Sequence, residues 1–336
     1  MPPLALTMGE PGGVGGEIAI KAWRALQGDG PCFFMIDDPS RLESLGAQVG
    51  VIDQPAAARD HFSHRLPVLP LGVRIAATPG KADKATAPHV IASIRRSVEL
   101  ALSGAVSGVV TNPIQKASLL AAGFEFPGHT EFLGALTKAA PMSAGPQGAR
   151  RRGPVMMIAG PSLKTVPVTI HASLTDAIRM LTTDMIVHAA TVAAESLVSD
   201  FGIARPRLAV AGLNPHAGEG GKIGTEDRDI VAPAVAQLKA AGIDAVGPLP
   251  ADTMFHAEAR ARYDAAICIY HDQALIPAKT LAFHEAVNVT LGLPIIRTSP
   301  DHGTALDIAG KGIARADSLI AAIRLAADMA EKRARR

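Results

Sequence analysis

The chain has 336 residues, of which 48% are hydrophobic, and its 33 basic and 31 acidic residues give a formal net charge of +2. This length is enough for two domains or one large one. The numbers of basic and acidic residues are nearly equal, which does not favour a nucleic-acid-binding protein. No apolar stretch reaches the roughly 20 residues that a membrane helix needs, so no membrane partner is expected either.

Short apolar runs alternate with longer alanine-rich stretches, as in an α/β protein. The predicted strands are residues 4–6, 32–36, 108–110, 208–213 and 265–270. The predicted helices with the clearest pattern are residues 18–26 and 89–102. Residues 155–158 and 166–170 flank the short segment AGPSLK, which predicts an antiparallel hairpin and therefore a mixed sheet.

The two cysteines and the N-terminal segment indicate the compartment. Cys32 and Cys268 both lie in apolar runs, which is typical of small buried side chains rather than of a disulfide framework. The first seven residues (MPPLALT) contain no basic segment and no cleavage site, so we expect no signal peptide. These features favour a cytoplasmic protein.

Polar motifs follow three of the predicted strands. They are residues 111–116 (TNPIQK), 214–226 (NPHAGEGGKIGTE) and 270–273 (YHDQ). Ligands of α/β proteins bind beyond the carboxyl ends of strands, so these motifs are candidate site segments. Glycine allows a backbone to approach a ligand closely. We therefore expect the second motif to contribute cofactor-binding glycines, namely Gly218, Gly221 and Gly224.

Residues 292–312 (GLPIIRTSPDHGTALDIAGKG) place Arg, Asp, His and Thr between glycines, with no helical or strand periodicity. We interpret this run as a ligand-binding loop, the alternative being a polar surface loop. The chain contains neither the G-x-G-x-x-G motif nor a P-loop, so a Rossmann-type cofactor site is not supported.

Three of the 11 histidines, His171, His216 and His271, follow or lie within short apolar strands. Three imidazoles and an open fourth position make a catalytic site for zinc or a similar divalent ion. No H-E-x-x-H motif accompanies them, so the residues alone leave open that they are unrelated polar loop residues.

The chain resembles the 4-hydroxythreonine-4-phosphate dehydrogenase family of vitamin B6 biosynthesis, from the first strand to near the C-terminus. The resemblance rests on motifs in the same order: residues 9–11 (GEP), 111–116, 128–133 (GHTEFL), 214–226, 252–255 (DTMF), 270–273 and 292–312. The first motif departs from the family, since Gly13 replaces alanine and Gly16 replaces proline, which we expect to loosen the helix start. After His171, the family often has proline where this chain has Ser173.

The resemblance implies a two-domain, mixed-sheet α/β fold similar to isocitrate and isopropylmalate dehydrogenases, with the active site in the cleft between the domains. The first domain would comprise residues 1–128 plus 282–336. The second, residues 129–281, would hold the metal ligands and the contacts of a homodimer whose active site lies at the interface.

The implied activity is the oxidation of a small phosphorylated substrate, 4-phosphooxy-L-threonine, by NAD or NADP to a 3-oxo acid. This acid decarboxylates to 3-amino-2-oxopropyl phosphate on the way to pyridoxal 5'-phosphate. One divalent ion (zinc, magnesium or cobalt) would stabilise both the alkoxide and the enolate. Alternatives are a sister dehydrogenase of 4-phospho-threonate, 4-phospho-erythronate or an aromatic cis-dihydrodiol acid, and a metal-dependent phosphohydrolase.

The resemblance also assigns site residues. The metal ligands would be His171, His216 and His271. The substrate-binding residues would be His129, Thr130, Lys279, Asn288 and Arg297. Arg297 is suited to bind a phosphate or carboxylate through two parallel hydrogen bonds, and Lys279 is suited to supply a point charge. Both could instead be plain surface charges. Thr130 could instead cap a helix.

Acid–base candidates are Asp252, Asp272 and Lys116, which need geometry before a base can be named. Asp272 adjoins an expected metal ligand and could orient that histidine instead. In the related dehydrogenase fold a segment containing His-Gly faces the nucleotide, which assigns cofactor contacts to His302, Gly303 and Asp307. The sequence does not separate NAD from NADP.

Overall fold

The computed structural model describes residues 1–126, 128–145 and 148–335. The chain divides into two compact units, with residues 1–141 and 293–335 in unit 1 and residues 142–292 in unit 2. The predicted bounds differ from this division in two segments. Residues 129–141 belong to unit 1 because Phe132 and Leu133 are part of its apolar core. Residues 282–292 belong to unit 2 because they contain a strand that pairs there.

The described residues form fourteen strands: β1 (Leu4–Thr7), β2 (Phe33–Asp37), β3 (Val49–Val51), β4 (Leu66–Pro70), β5 (Val109–Val110), β6 (Ala144–Gly145), β7 (Gly148–Ala149), β8 (Val155–Ala159), β9 (Lys164–Pro167), β10 (Arg207–Ala211), β11 (Asp244–Leu249), β12 (Ala265–Cys268), β13 (Val287–Leu291) and β14 (Arg297–Pro300). They also form twelve α-helices: α1 (Gly15–Leu26), α2 (Pro39–Ser44), α3 (Ala58–Phe62), α4 (Ala87–Leu102), α5 (Lys116–Ala121), α6 (His129–Leu136), α7 (Leu174–Met180), α8 (Thr183–Ser199), α9 (Ala232–Ala240), α10 (Ala257–Arg260), α11 (His271–Ala282) and α12 (Asp317–Ala334).

Unit 1 contains six parallel strands in the order β14-β5-β1-β2-β4-β3. The predicted helix 89–102 is confirmed as α4, which packs on β1 and β2 and buries Val90, Ile94 and Val98. α12 packs on β14 and on α1. The strands are almost entirely buried, as is usual for a parallel sheet covered by helices.

Unit 2 contains strands in the order β11-β10-β12-β9-β8-β13. The first four are parallel to one another, whereas β8 is antiparallel to both β9 and β13. The predicted hairpin is confirmed as β8 and β9, with Ile158 opposite Thr165. The mixed α/β fold is therefore confirmed.

The interpretation of residues 292–312 as a loop was wrong in one segment. β14 lies inside this run, and all four of its residues are buried. Its polar side chains find partners within the fold, because Thr298 Oγ1 donates a hydrogen bond to Ala322 O at 2.8 Å. A strand that satisfies buried polar groups in this way needs no apolar alternation.

Both cysteines are free thiols, with Cys268 buried and Cys32 half-buried. Burial raises the pKa of the Cys32 thiol to about 11 and that of Cys268 well above its usual range. Within residues 1–126, 128–145 and 148–335, no helix is both long enough and apolar enough to cross a membrane.

Candidate active site

Arg297 is buried, with 3% of its surface exposed, and is the first residue of β14, opposite Val109 of β5. Its Nε and Nη2 atoms donate hydrogen bonds to Thr111 Oγ1 at 3.2 and 2.6 Å. Burial lowers the pKa of the guanidinium to about 10, and the charge of Glu131 opposes this shift. Arg297 therefore stays cationic at neutral pH, and Thr111 fixes one edge of its guanidinium group.

His129 begins α6, directly after the extended Gly128, which is the N-cap residue. Thr130 therefore lies inside the first turn, and its alternative role as the helix cap is wrong. The Nε2 atom of His129 is inaccessible to solvent and has no hydrogen-bond partner in the described part of the chain. Burial, followed by the charges of Arg297 and Lys116, holds the pKa of His129 well below its ordinary value. His129 is therefore neutral at pH 7.

Glu131 and Lys116 both lie close to Gly128. A Cβ atom built on Gly128 would be 3.5 Å from Glu131 Oε2 and 3.6 Å from Lys116 Nζ. Lys116 is exposed, whereas Glu131 Oε2 is buried and accepts no hydrogen bond from any described residue. The fold thus brings together three predicted site residues, Lys116, His129 and Arg297, and adds Glu131, which the sequence did not single out. These four residues are called the unit 1 cluster below.

The predicted nucleotide-binding segment packs against the N-terminal glycine turn of unit 1. The backbone N–H of Val14 donates to Thr304 O at 3.0 Å, and a Cβ on Gly13 would lie 2.8 Å from that same oxygen. Alanine, the family's residue at this position, would therefore displace the segment. The residues predicted to contact the nucleotide are exposed: His302, Gly303 and Asp307. Their cofactor role stays a prediction.

The second departure from the family, Gly16, also has a local explanation. A Cβ there would lie 3.1 Å from Arg41 Nη1. Arg41 forms a buried ion pair with Asp37 and donates a hydrogen bond to Pro11 O at 3.3 Å, which stabilises the glycine turn. α1 nevertheless begins at Gly15, without the family's proline.

The three predicted metal ligands follow the carboxyl ends of three neighbouring parallel strands in unit 2. His171 follows β9, His216 follows β10 and His271 follows β12, and the strand order is β10-β12-β9. The three residues therefore lie at one edge of the sheet. Ser173, where the family often has proline, caps α7 by accepting a hydrogen bond from the N–H of Asp176 at 3.2 Å.

His171 and His271 line one cavity of about 330 Å³. However, no group of three His, Cys, Asp or Glu side chains in the described residues is close enough to hold a metal ion. The side chains of a single chain therefore do not assemble the predicted site, although the imidazole donor type suits zinc and similar ions. The three-histidine metal site stays a prediction.

His271 and Asp272 form a pair, with Nδ1 and Oδ1 2.7 Å apart. This contact favours the interpretation of Asp272 as the residue that orients His271. A second cavity of about 460 Å³ is lined by Asp252, Asp272, Tyr270 and Phe255. The two predicted acid–base carboxylates thus share one cavity, and Asp272 also reaches the smaller one.

Residues 216–221 form a left-handed turn, since all six have positive φ. Three of them, His216, Ala217 and Glu219, are not glycine, and each such residue costs about 1 kcal/mol. Backbone conformation alone accounts for the glycines of this motif, which also have positive φ: Gly218, Gly221 and Gly224. Their predicted role in cofactor binding therefore stays a prediction.

Asp227 holds this turn and was not predicted as a site residue. It is 1% exposed, and its carboxylate accepts hydrogen bonds from Leu213 N, Asn214 N and Asn214 Nδ2. It begins a π-helical turn, Asp227–Val231, a conformation that is often found at functional sites. Capping and turn patterns link an aspartate to backbone amides a few residues away, whereas Asp227 binds amides 13 and 14 residues before it.

Two further predicted substrate-binding residues lie in unit 2. Lys279 is on α11, and Asn288 is on β13 opposite Ile158 of β8; both side chains are half-buried. A fully solvated surface role for Lys279 does not agree with this burial. Their participation in one substrate site stays a prediction.

Comparisons with known proteins agree with the motifs. The family model described as pyridoxal phosphate biosynthetic protein PdxA matches residues 33–326. A 4-hydroxythreonine-4-phosphate dehydrogenase of Caulobacter vibrioides is 57% identical over 98% of this chain and 98% of its own length. The crystal structure of a 4-hydroxythreonine-4-phosphate dehydrogenase from Klebsiella pneumoniae superposes with a TM-score of 0.83 at 36% identity, covering 98% of this chain and 100% of that one.

A more distant structure is that of a terephthalate 1,2-cis-dihydrodiol dehydrogenase from Burkholderia xenovorans. It is 26% identical, with a TM-score of 0.64, and covers 97% of both chains. The family model extends over most of the sequence, and the first relatives match it nearly from end to end. The chain therefore belongs to the PdxA family of pyridoxal phosphate biosynthetic proteins.

Proposed function

We propose that this chain is an NAD(P)-dependent dehydrogenase of 4-phosphooxy-L-threonine. The 3-oxo acid that it forms loses carbon dioxide to give 3-amino-2-oxopropyl phosphate, a step of pyridoxal 5'-phosphate biosynthesis. Family membership and the names of the relatives support the reaction class. The structural observation that carries the proposal is the unit 1 cluster, where a buried arginine, a lysine and a neutral imidazole lie together. Such a set suits a small phosphorylated acid.

Substrate binding depends first on the attraction between the Arg297 guanidinium and an anionic group of the substrate. Arg297 is held on one edge by Thr111, and this leaves the guanidinium pre-oriented before a ligand arrives. An arginine fixed in this way binds a phosphate or carboxylate with little further loss of side-chain entropy. The remaining proposed contacts to the substrate come from the residues of the family pattern: His129, Thr130, Lys279 and Asn288.

The oxidation removes a proton from the C3 hydroxyl and a hydride from C3. The nicotinamide cofactor, when bound, accepts the hydride. The candidate acceptors of this proton are Asp252, Asp272 and Lys116, and Asp272 is held beside the active-site histidine by its 2.7 Å contact to His271 Nδ1. Breaking of the C1–C2 bond then releases carbon dioxide, its electron pair forms the enolate of the C3 ketone, and protonation at C2 gives the product.

The metal proposal rests on the position of the three histidines at one sheet edge. A divalent ion there (zinc, magnesium or cobalt) would act as a Lewis acid on the substrate oxygens. Because the side chains of one chain are not gathered around such an ion, no step above depends on it. Metal content of purified wild-type and His216→Ala protein tests the proposal, and equal metal content in both would contradict it.

A homodimer is proposed from the exposed apolar side chains of unit 2. Soluble monomers rarely expose a large contiguous apolar surface, so such a surface marks an interaction site. The two cavities described above share Tyr270 and Asp272, which makes the surface around them continuous. The exposed apolar residues on α7, on α11 and just beyond α11 are Leu174, Ile178, Met180, Ile276, Leu281 and Phe283. Light scattering should give twice the chain mass, and a fully active monomer would contradict the proposal.

The proposed activity is tested by NADH or NADPH formation from 4-phosphooxy-L-threonine, with and without a chelator. Turnover that a chelator abolishes and a divalent ion restores supports both the reaction and the metal. Turnover that survives verified metal removal keeps the dehydrogenase and rejects the metal.

No turnover of this substrate by metal-loaded protein, together with turnover of 4-phospho-threonate, 4-phospho-erythronate or a cis-dihydrodiol acid, would assign the chain to the sister activity. The resemblance to the terephthalate dihydrodiol dehydrogenase makes turnover of these alternative substrates worth measuring. Phosphate release without nucleotide reduction would indicate a phosphohydrolase.

A further inference from the structure

Glu131 carries a buried oxygen that lacks a hydrogen bond. Its Oε2 atom is inaccessible to solvent and accepts no hydrogen bond from the described residues. A desolvated carboxylate oxygen without a donor is costly, and native proteins usually satisfy such atoms with protein, water or ligand. The first turn of α6 offers it a favourable helix dipole, but that effect is worth less than a direct charged hydrogen bond. A donor for Glu131 Oε2 is therefore expected from a group other than the described residues, such as a bound ligand.

The neighbouring cations do not supply that donor. Glu131 Oε2 accepts no hydrogen bond from Lys116, Arg297 or any other residue that the structure describes, although the charge of Glu131 acts on Arg297. Arg297 directs Nε and Nη2 to Thr111 instead. Gly128 keeps the space between Glu131 and Lys116 open, because a Cβ there would contact both side chains at 3.5 and 3.6 Å.

The unit 1 cluster is therefore bipolar. Arg297 and Lys116 attract anionic groups, His129 is neutral, and Glu131 attracts a cation. A substrate that carries only phosphate, carboxylate and hydroxyl groups pairs with the cations but offers Glu131 no opposite charge. A phosphorylated α-amino acid can pair with both kinds of charge. Its anionic groups bind the cations, and its ammonium group, which donates up to three hydrogen bonds, binds Glu131.

We propose that Glu131 is the specificity-determining residue that accepts a hydrogen bond from the substrate's α-ammonium group. This inference rests on the proposed function, because it assumes that the unit 1 cluster binds the substrate. It explains how an amino acid phosphate is selected over the corresponding hydroxy acid. The hydroxy acid has a hydroxyl where the amino acid has the ammonium, so it can donate a hydrogen bond to Glu131 but brings no opposite charge.

The test compares binding of two ligands to the full-length protein by titration calorimetry without cofactor. The ligands are 4-phosphooxy-L-threonine and 4-phospho-threonate, which differ in the ammonium group. Wild-type protein should bind the amino acid more tightly, and Glu131→Gln should weaken that binding by about 30-fold while changing hydroxy-acid binding by less than threefold. Glu131→Asp keeps the charge and should recover part of the preference.

The melting temperature separates this role from a structural one. Because the Oε2 atom has no hydrogen bond to lose and only the charge interaction with Arg297 is removed, Glu131→Gln should change the melting temperature only slightly. Glu125→Gln, at an exposed carboxylate in the preceding segment, serves as the matched control and should leave both affinities at the wild-type values. Equal weakening of both ligands by Glu131→Gln, or no weakening of either, would overturn the proposal, as would wild-type protein that binds the two ligands equally.

Nucleotide reduction is measured separately on the same samples. If wild-type protein prefers the amino acid in binding but reduces no nucleotide with it, the proposed function fails while the role of Glu131 stands. If turnover of the amino acid is normal and Glu131→Gln leaves its kcat/KM unchanged, the role of Glu131 fails while the proposed function stands.

Discussion

The buried carboxylate of Asp227 binds both the backbone N–H and the side-chain amide of Asn214, with Oδ2 at 3.0 Å from each nitrogen. Its other oxygen accepts the N–H of Leu213 at 2.7 Å. Asn214 and Pro215 immediately precede the six residues, 216–221, that adopt left-handed backbone conformations. Residues in sparsely populated conformations persist only where the surrounding structure holds them, so Asp227 is the group that fixes this turn and, with it, the position of His216.

We expect Asp227→Ala to lower the free energy of unfolding by about 3 kcal/mol, because three donors lose a buried acceptor. Turnover should fall by more than the loss of folded protein, since the turn that carries His216 is released. Urea denaturation and kcat on the folded fraction measure the two effects. The matched control is Asp264→Ala at the opposite end of β10, where Asp264 accepts the N–H of Arg207 at 2.8 Å. A comparable loss of kcat in the control would show that the effect is not local to the turn.

Thr111→Val tests whether the orientation of Arg297 matters for substrate binding. Valine keeps the shape of threonine but removes the oxygen that accepts two hydrogen bonds from Arg297. The KM for the phosphorylated substrate should rise about tenfold, with kcat changed by less than twofold, because the interaction acts on binding. Thr298→Val is the control: its hydroxyl binds Ala322 O, and the same rise in KM there would point to general disturbance of the sheet.

His129 should make the protein sensitive to mild acid. Burial depresses its pKa in the folded protein, so the unfolded chain, with a pKa of about 6.5, binds the proton more readily. The contribution of His129 to stability is therefore fully present above pH 6.5. It falls by about 1.4 kcal/mol per pH unit as the pH drops below that value towards the folded pKa. In His129→Gln the decrease in melting temperature between pH 7.5 and pH 5.5 should be smaller than in wild-type protein. Exposed His64→Gln should keep the wild-type decrease, and an unchanged decrease in His129→Gln would contradict the assignment.

Gly13→Ala restores the residue that the family usually has, yet we expect it to be harmful here. The added Cβ would lie 2.8 Å from Thr304 O, a backbone atom that cannot rotate away. The segment that holds the predicted nucleotide contacts would shift, so the KM for the nucleotide should rise several-fold and the melting temperature should fall by a few degrees. Gly28→Ala, where nothing lies within 4 Å of the new atom, is the control. A variant with wild-type KM would show that this turn does not shape the nucleotide site.

The sequence predicted the placement of the strand-end motifs well, because buried parallel strands are short apolar runs and ligand motifs follow their carboxyl ends. The positions of His171, His216 and His271 at one sheet edge follow from this rule. The family resemblance added the roles that no spacing could supply, and the comparisons confirm the family.

Other features could not be predicted because their stability depends on partners far away in the chain. β14 consists of Arg, Thr, Ser and Pro and has no apolar pattern; Arg297 and Thr298 find their partners in Thr111, directly after β5, and in Ala322 of α12. The left-handed turn contains His, Ala and Glu, which prefer other conformations, and it exists because Asp227 holds its entrance. Glu131 was hidden for a third reason, since a carboxylate in a first helical turn is ordinary until its surroundings are known.

The division of unit 1 between the two ends of the chain affects how the protein is made. On the ribosome, residues 1–141 emerge first, and all of unit 2 must follow before residues 293–335 complete unit 1. Until then β5 lacks its neighbour β14, and an apolar strand edge (Val109–Val110) stays open to pairing with other chains. Nascent or truncated chains that stop near residue 292 should therefore aggregate or require a chaperone, whereas unit 2, being continuous, can finish folding before release.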